Sequence, residues 1–194
     1  MITSIDQLDL TKQYTYADYL TWQFSERVEL IKGRIFKMSP APLRTHQNIS
    51  FQLSLQIGNY LKGRNCDAYA APFDVRLVNK RRSTPDNQIT SVVQPDICVI
   101  CDKSKLDDRG CVGAPDWIIE ILSPGNNKKE MKDKFELYEE NGVKEYWVIY
   151  PDYLQIQAFD LVNDKFTLRE TYVNEEKVPV KIFPDFYVDS TAIF

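Results

Sequence analysis

The sequence predicts an α/β protein built on a mixed β-sheet with helices packed against it. Three observations lead there. Short apolar runs at 97–100, 117–122 and 145–150 read as buried strands. Two longer stretches, about 45–63 and 128–140, repeat apolar residues at helical spacing. After Pro151 the chain alternates apolar and polar residues in two runs, the pattern of a C-terminal β meander.

The elements follow in order. Residues 1–14 show no period and read as a loose lead-in. Thr15 is placed to cap a short helix running to Phe24. The alternating runs on either side of Lys32-Gly33 read as an N-terminal hairpin, with glycine supplying a positive φ. Pro40 and Pro42 stop it. In the next helix Ile49, Leu53, Ile57, Tyr60 and Leu61 share a face, and His46 lies on the same side. The segments 66–71 and 73–78 read as two strands, or one bent strand, parted by Pro72. Residues 79–91 are polar and loop-like. A strand region over 92–101 is broken near Pro95, and 102–115 reads as a polar loop. Trp117 to Leu122 is nearly all apolar, as expected of a central strand. The second long helix closes at Asn141-Gly142. Residues 154–161 and 166–173 pair across Asn163-Asp164, and 178–188 holds one or two edge strands.

A chain of 194 residues with 43% hydrophobic content can bury one sizeable core, so a single domain over 1–194 is expected. The net charge of −4 argues against a protein that coats nucleic acid, but leaves room for a local basic patch. Candidates are Lys80, Arg81 and Arg82 in the loop and Lys128, Lys129 and Lys132 at the helix start; an ordinary solvated surface explains them equally well. No run is long and apolar enough to span a bilayer, and no signal-peptide pattern opens the chain, so a cytoplasmic location is expected. Cys98 and Cys101 form a CxxC, but residues three apart on a strand face opposite sides. With one histidine in the chain, the four cysteines read as buried free thiols.

Two carboxylates stand out, because an ionised acid in an apolar strand is costly unless it is paired or holds a cation. Glu120 interrupts the run from Trp117 to Leu122, and Asp96 opens the strand at 97–100. Asp116 and Glu120 share a strand about 13 Å apart, too far to share an ion. Asp96 and Glu120 can meet if their strands are neighbours in register, since adjacent strands lie about 4.8 Å apart. Lys134 sits among Met131, Phe135 and Tyr138 on the inward face of the following helix. The competing reading is structural: Glu120 pairs with a basic residue, Asp96 caps a turn, Lys134 snorkels and His46 is a hydrogen-bonded core residue.

A series of motifs resembles one family. It comprises Glu29-Leu30-Ile31-Lys32-Gly33, Met38-Ser39-Pro40, His46, Ala71 to Leu77, Val93-Gln94-Pro95-Asp96-Ile97 and Asp107 to Gly110. It continues through Gly113 to Asp116, Glu120 to Pro124, and Lys134 with Tyr138, Gly142, Val143, Glu145, Tyr146 and Trp147. In order and spacing this series, from about Tyr16 to Asp152, resembles the Uma family of restriction-type endonucleases, within the PD-(D/E)xK nuclease superfamily. The resemblance implies a restriction-endonuclease-like sheet flanked by helices, with an acidic metal site at its centre. The superfamily pattern places lysine two residues after the second acid, where this chain has Leu122. In this family the lysine comes from the next helix, which implies Lys134.

The implied activity is Mg²⁺- or Mn²⁺-dependent hydrolysis of DNA phosphodiester bonds, with a homodimer expected. Asp96 and Glu120 are the expected ligands, joined by the Ile121 carbonyl, and Lys134 orients the attacking water. Glu29 either meets the ion through water or holds Lys134; His46 touches a phosphate or holds a carboxylate. Asp74 is expected to pair with Arg76 or Lys134. The rival is a binding or assembly module that keeps the fold without the chemistry. The acidic balance and Leu122 favour it, and the retained Asp96, Glu120 and Lys134 oppose it.

Overall fold

Two prolines divide what the sequence suggests is one sheet. The computed structural model describes residues 2–38, 41–78, 84–123 and 128–194, apart from the Lys128 side chain. In chain order the elements are a 3-10 turn at Ile5–Gln7, α1 (Tyr16–Tyr19), β1 (Val28–Ile31), β2 (Arg34–Lys37), α2 (Arg44–Leu61), β3 (Asp67–Ala70) and β4 (Val75–Leu77). There follow β5 (Ser91–Val93), β6 (Ile97–Ile100), β7 (Leu106–Asp107), β8 (Gly110–Val112), β9 (Trp117–Ile121), α3 (Lys128–Asn141) and β10 (Glu145–Tyr150). Last come β11 (Gln155–Val162), β12 (Lys165–Val173), β13 (Lys177–Pro179) and β14 (Tyr187–Asp189).

The first sheet has the order β2-β1-β5-β4-β8-β7 and the second β12-β11-β10-β9-β6-β3; β13 and β14 form a separate ribbon. Pro72 separates β3 from β4, and Pro95 separates β5 from β6. A proline has no amide to give to a ladder, so pairing stops there and the chain changes sheet. Both sheets mix parallel and antiparallel pairs.

Three apolar clusters set the layers. Ile49, Leu53 and Ile57 of α2 pack on Trp117, Ile119, Trp147 and Ile149 of the second sheet. On that sheet's other face, Cys98, Ile118, Tyr146 and Val148 meet Leu137 and Tyr138 of α3 together with Ile31, Val75 and Val93 of the first sheet. The outer face of the first sheet, with Val28, Leu30 and Val92, is covered by Ile5, Leu8, Tyr14 and Tyr16. Both faces of β9 are therefore covered, and all five of its residues are buried.

The hairpin stands where expected, and both Lys32 (φ 51°) and Gly33 (φ 79°) take positive φ, as its two-residue turn requires. The α2 face and the C-terminal stop of α3 also follow the pattern: the Gly142 and Val143 amides both donate to the Tyr138 carbonyl. Four expectations need correction. Of the lead-in expected over 1–14, residues 2–14 are described and are not loose, because Ile5, Leu8 and Tyr14 fill the third cluster. The Thr15-capped helix ends at Tyr19, short of Phe24; beyond it Trp22 stacks on Phe24 and packs against Tyr14. The stretch 102–115 is not all loop, since β7 and β8 extend the first sheet.

The fourth concerns the cysteines. Cys66 and Cys101 form a disulfide, and only Cys98 and Cys111 are free and buried. The antiparallel register of β3 and β6, with Asp67 opposite Ile100, carries Cys66 opposite Cys101 one step beyond. Spacing along the chain could not reveal this cross-strand neighbour. The part of the reasoning about strand faces holds: Cys98 lies in the cluster under α3, whereas Cys101 packs against the α2 cluster. The free-thiol argument for a reducing compartment lapses with the bond. No helix among the described residues is long and apolar enough to cross a membrane.

Candidate active site

Register brings the two acids together. β6 runs antiparallel to β9, with Ile97 opposite Ile119 and Cys98 opposite Ile118. One step further, Asp96 falls opposite Glu120, and directly opposed residues point to the same face. Asp96 also continues the ladder with its side chain: Oδ2 accepts the Ile121 amide at 2.7 Å.

Three other elements complete the cluster. On α3, Lys134 and Tyr138 are four residues apart and share a face. Lys134 Nζ lies 3.1 Å from Glu120 Oε1 and 3.0 Å from Glu29 Oε2. The Tyr138 hydroxyl donates to the same Glu120 oxygen at 2.6 Å. Glu29 comes from β1 in the other sheet, and its Oε1 accepts the Gln94 amide at 2.8 Å. From the first turn of α2, His46 Nε2 stands 3.2 Å from Asp96 Oδ1. All five predicted site residues thus line one cleft of about 150 Å³, with Arg27, Lys37 and Glu130 also on its wall. A larger hollow of about 670 Å³, around Lys32, Thr90 and Glu140, holds none of these acids.

The electrostatics follow from burial and crowding. Glu120 is 8% exposed; burial, helped by Asp96 and Glu29 and opposed by Lys134, pushes its carboxyl up to about 7. Burial works against the charge on Lys134, but Glu120 and Glu29 outweigh it and hold the ammonium above its ordinary value. Burial likewise opposes a charged His46, yet the hydrogen bond to Asp96 and the Ile121 backbone raise it. Glu130, half-buried at the rim, is raised by burial. Carboxylates therefore outnumber the one permanent cation inside the cluster.

Asp116 stays apart, as the spacing argument required, taking the Cys101 amide at 2.8 Å and Lys144 at 2.6 Å. Asp74 departs from expectation. Its Oδ1 accepts from Gln94 Nε2 at 2.8 Å, while Arg76 bonds Asp107 and Lys134 is held by the two glutamates. Sequence reasoning assigned no site role to Gln94 or Tyr138. Gln94 has one signal, a polar residue beside the Pro95-Asp96 step, and Tyr138 has another, its i+4 relation to Lys134. Of the basic candidates, Lys80, Arg81, Arg82 and the Lys128 side chain lie outside the described residues; Lys132 is exposed and pairs with Glu136 at 3.6 Å.

A mixed sheet with paired acids under a lysine-bearing helix defines a protein of nuclease-like fold. The model of the Uma2 family, described as "Putative restriction endonuclease", matches residues 16–191, and the chain belongs to that family. A Synechocystis protein described as "Uncharacterized protein slr1290" is 25% identical over 167 residues, covering 84% of this chain and 83% of its own length. The crystal structure of an Anabaena variabilis protein, described as a "putative nuclease belonging to DUF820", superposes with a TM-score of 0.69 at 22% identity. That match covers 93% of this chain and 97% of the other, and establishes the shared fold.

Proposed function

We propose that this chain is a divalent-metal-dependent endonuclease acting on the phosphodiester bonds of DNA. The observation that carries the reading is the in-register pair Asp96 and Glu120, on one sheet face beside a buried Lys134 and open to a cleft.

The residues present fit a small hard cation. Glu29 and Glu120 flank one lysine, Asp96 stands opposite Glu120, and their oxygens are the hard donors that Mg²⁺ and Mn²⁺ favour. No three His, Cys, Asp or Glu side chains among the described residues form a metal cage, and Lys134 stands between Glu29 and Glu120. Two carboxylates, completed by the Ile121 carbonyl and water, suit Mg²⁺, which keeps several waters. When bound, the ion supplies polarisation of a phosphoryl oxygen and a more acidic water.

The chain's own groups have separate tasks. Glu29 and Glu120 aim Lys134, whose ammonium orients the attacking water and meets charge developing on the phosphoryl oxygens. His46 and the Ile121 amide fix the Asp96 carboxylate from two sides. Tyr138 fixes one oxygen of Glu120. Arg27 and Lys37 on the cleft wall offer cations to the DNA backbone despite the acidic total. A homodimer and a cytoplasmic location belong to the same proposal. The edge strand β12 exposes Leu168 and Val173 and gives copies a surface for pairing, which sedimentation would test.

The experiment is supercoiled-plasmid cleavage with Mg²⁺ or Mn²⁺, beside Mn²⁺ binding measured by calorimetry. Wild type should nick the plasmid; Glu120→Gln and Asp96→Asn should each lose roughly 100-fold or more. Cleavage equal in wild type and both variants points to a contaminant and ends the assignment. A wild type that neither binds metal nor cleaves any nucleic acid supports the assembly module instead.

A further inference from the structure

A second cleft, of about 520 Å³, adjoins the acid cluster, and Gln94 lines both. We propose that it takes one unpaired base of the DNA substrate, guanine in preference to the others, stacked on its aromatic wall and held by Asp74. This rests on the nuclease reading of the neighbouring cleft for the identity of its ligand.

The walls suit a flat aromatic ring. Tyr69 and Phe73 stack with centroids 4.1 Å apart and planes 9° apart, and both line the cleft. Tyr19 faces it from the N-terminal segment, its hydroxyl 3.5 Å from Gln94 Nε2. A base stacking on such a platform gains affinity whatever its sequence.

The floor chooses what can enter. Asp74 is half-buried there, and Gln94 steadies it at 2.8 Å. Gly110 packs against the same floor: a Cβ on it would come within 2.2 Å of the Asp74 carbonyl oxygen, and its φ is +124°. A carboxylate repels phosphate, so the part of a nucleotide that approaches Asp74 is the base. Asp74 can only accept, and guanine alone presents two adjacent N–H donors, N1–H and the exocyclic amine, on one edge. In a duplex that edge is occupied by cytosine, so the base must be unpaired or extruded. Arg109 at the rim, 57% exposed, pairs with Asp86 at 3.2 Å beside Asp107 and Asp108, and would have to exchange that partner to meet the attached phosphate.

Gln94 makes the two clefts one surface. Its amide holds Glu29, its side-chain nitrogen holds Asp74, and its side-chain oxygen accepts from Arg27 at 2.6 Å. A base seated on Asp74 therefore lies beside the acids that would address a neighbouring phosphate.

The test is fluorescence anisotropy of the full chain in chelator, with labelled oligothymidylates carrying one central guanine, one inosine or neither. Inosine lacks only the exocyclic amine. The guanine strand should bind about tenfold tighter than the inosine strand, and Asp74→Asn should erase the difference. Phe73→Ala should weaken every single strand roughly tenfold. Phe73 also packs into the core, so the near-isosteric Asp74→Asn, its fold checked by circular dichroism, carries the decision. Equal affinity for guanine and inosine, or a preference that survives Asp74→Asn, overturns the subsite. Without metal, this outcome is separate from cleavage. A wild type that cleaves plasmid but ignores guanine overturns the subsite alone; one that selects guanine but never cleaves overturns the nuclease reading alone.

Discussion

The second sheet carries two buried charge clusters, and they differ in how completely the protein answers its own acids. At the start of β10, Glu145 is fully buried and saturated: Oε1 accepts from Trp147 at 2.9 Å and Arg169 at 2.8 Å, and Oε2 accepts the Ile182 amide at 3.0 Å. Asp160 beside it takes Arg169 and Lys181. Two acids meet two bases, and the cluster pins the C-terminal segment to the sheet. The cluster around Glu120 sets three carboxylates against one lysine and a histidine, and it opens to a cleft. A balanced, closed network rigidifies a fold. An acidic surplus at a cleft leaves attraction for a cation from solution.

Removing Lys134 should produce the largest contrast between the clusters. Lys134→Met leaves Glu29 and Glu120 buried and facing each other, which costs about 4 kcal/mol near neutral pH by the usual penalty for breaking a buried pair. Mn²⁺ should restore much of that loss, because the variant pocket is more negative than before. Urea unfolding with and without the metal measures both effects. A variant that matches wild type would mean the lysine is not holding the acids apart.

Glu145→Gln should cost somewhat less, about 3 kcal/mol, because Arg169 keeps Asp160 at 3.2 Å after losing its stronger partner. Here metal should restore nothing. If Mn²⁺ rescues both variants equally, the distinction between the clusters collapses.

The uneven legibility of these clusters in the sequence has physical causes. Asp96, Glu120 and Lys134 were readable because each breaks a local rule: an acid in an apolar run, an acid opening a strand, a lysine on an inward helix face. Their meeting needed only strand adjacency and register, which β6 and β9 supply. The roles of Glu29 and His46 came from the motif resemblance; neither position alone separates a site residue from a core one. Gln94 was harder to see, since its importance lies in three bonds to residues 20 to 67 positions away. The same holds for the Cys66–Cys101 bond and for the N-terminal cover, where Ile5, Leu8 and Tyr14 have no shared period. The division into two sheets was half legible. Pro72 and Pro95 mark where pairing stops, but not that the chain passes to another sheet there.

The smallest effect is in the metal-free protein's response to pH, and it bears most directly on the surplus. Glu120 sits at about 7 in the fold, above its ordinary 4.5, so the folded state holds that proton more tightly than the unfolded chain. Stability is therefore lost as pH rises from the ordinary carboxylate range through about 7. His46 acts in the same direction. Its folded value is raised, so its contribution is complete below its ordinary 6.5 and disappears as pH climbs through the folded value. Urea unfolding in chelator should show wild type more stable at about pH 5 than at about pH 8. Glu120→Gln should flatten most of the slope, leaving the His46 share. Mn²⁺ at the higher pH should return what wild type lost and give Glu120→Gln much less. A wild-type slope of the opposite sign, or one untouched by Glu120→Gln, would show that the Glu120 cluster is as well balanced as the one around Glu145.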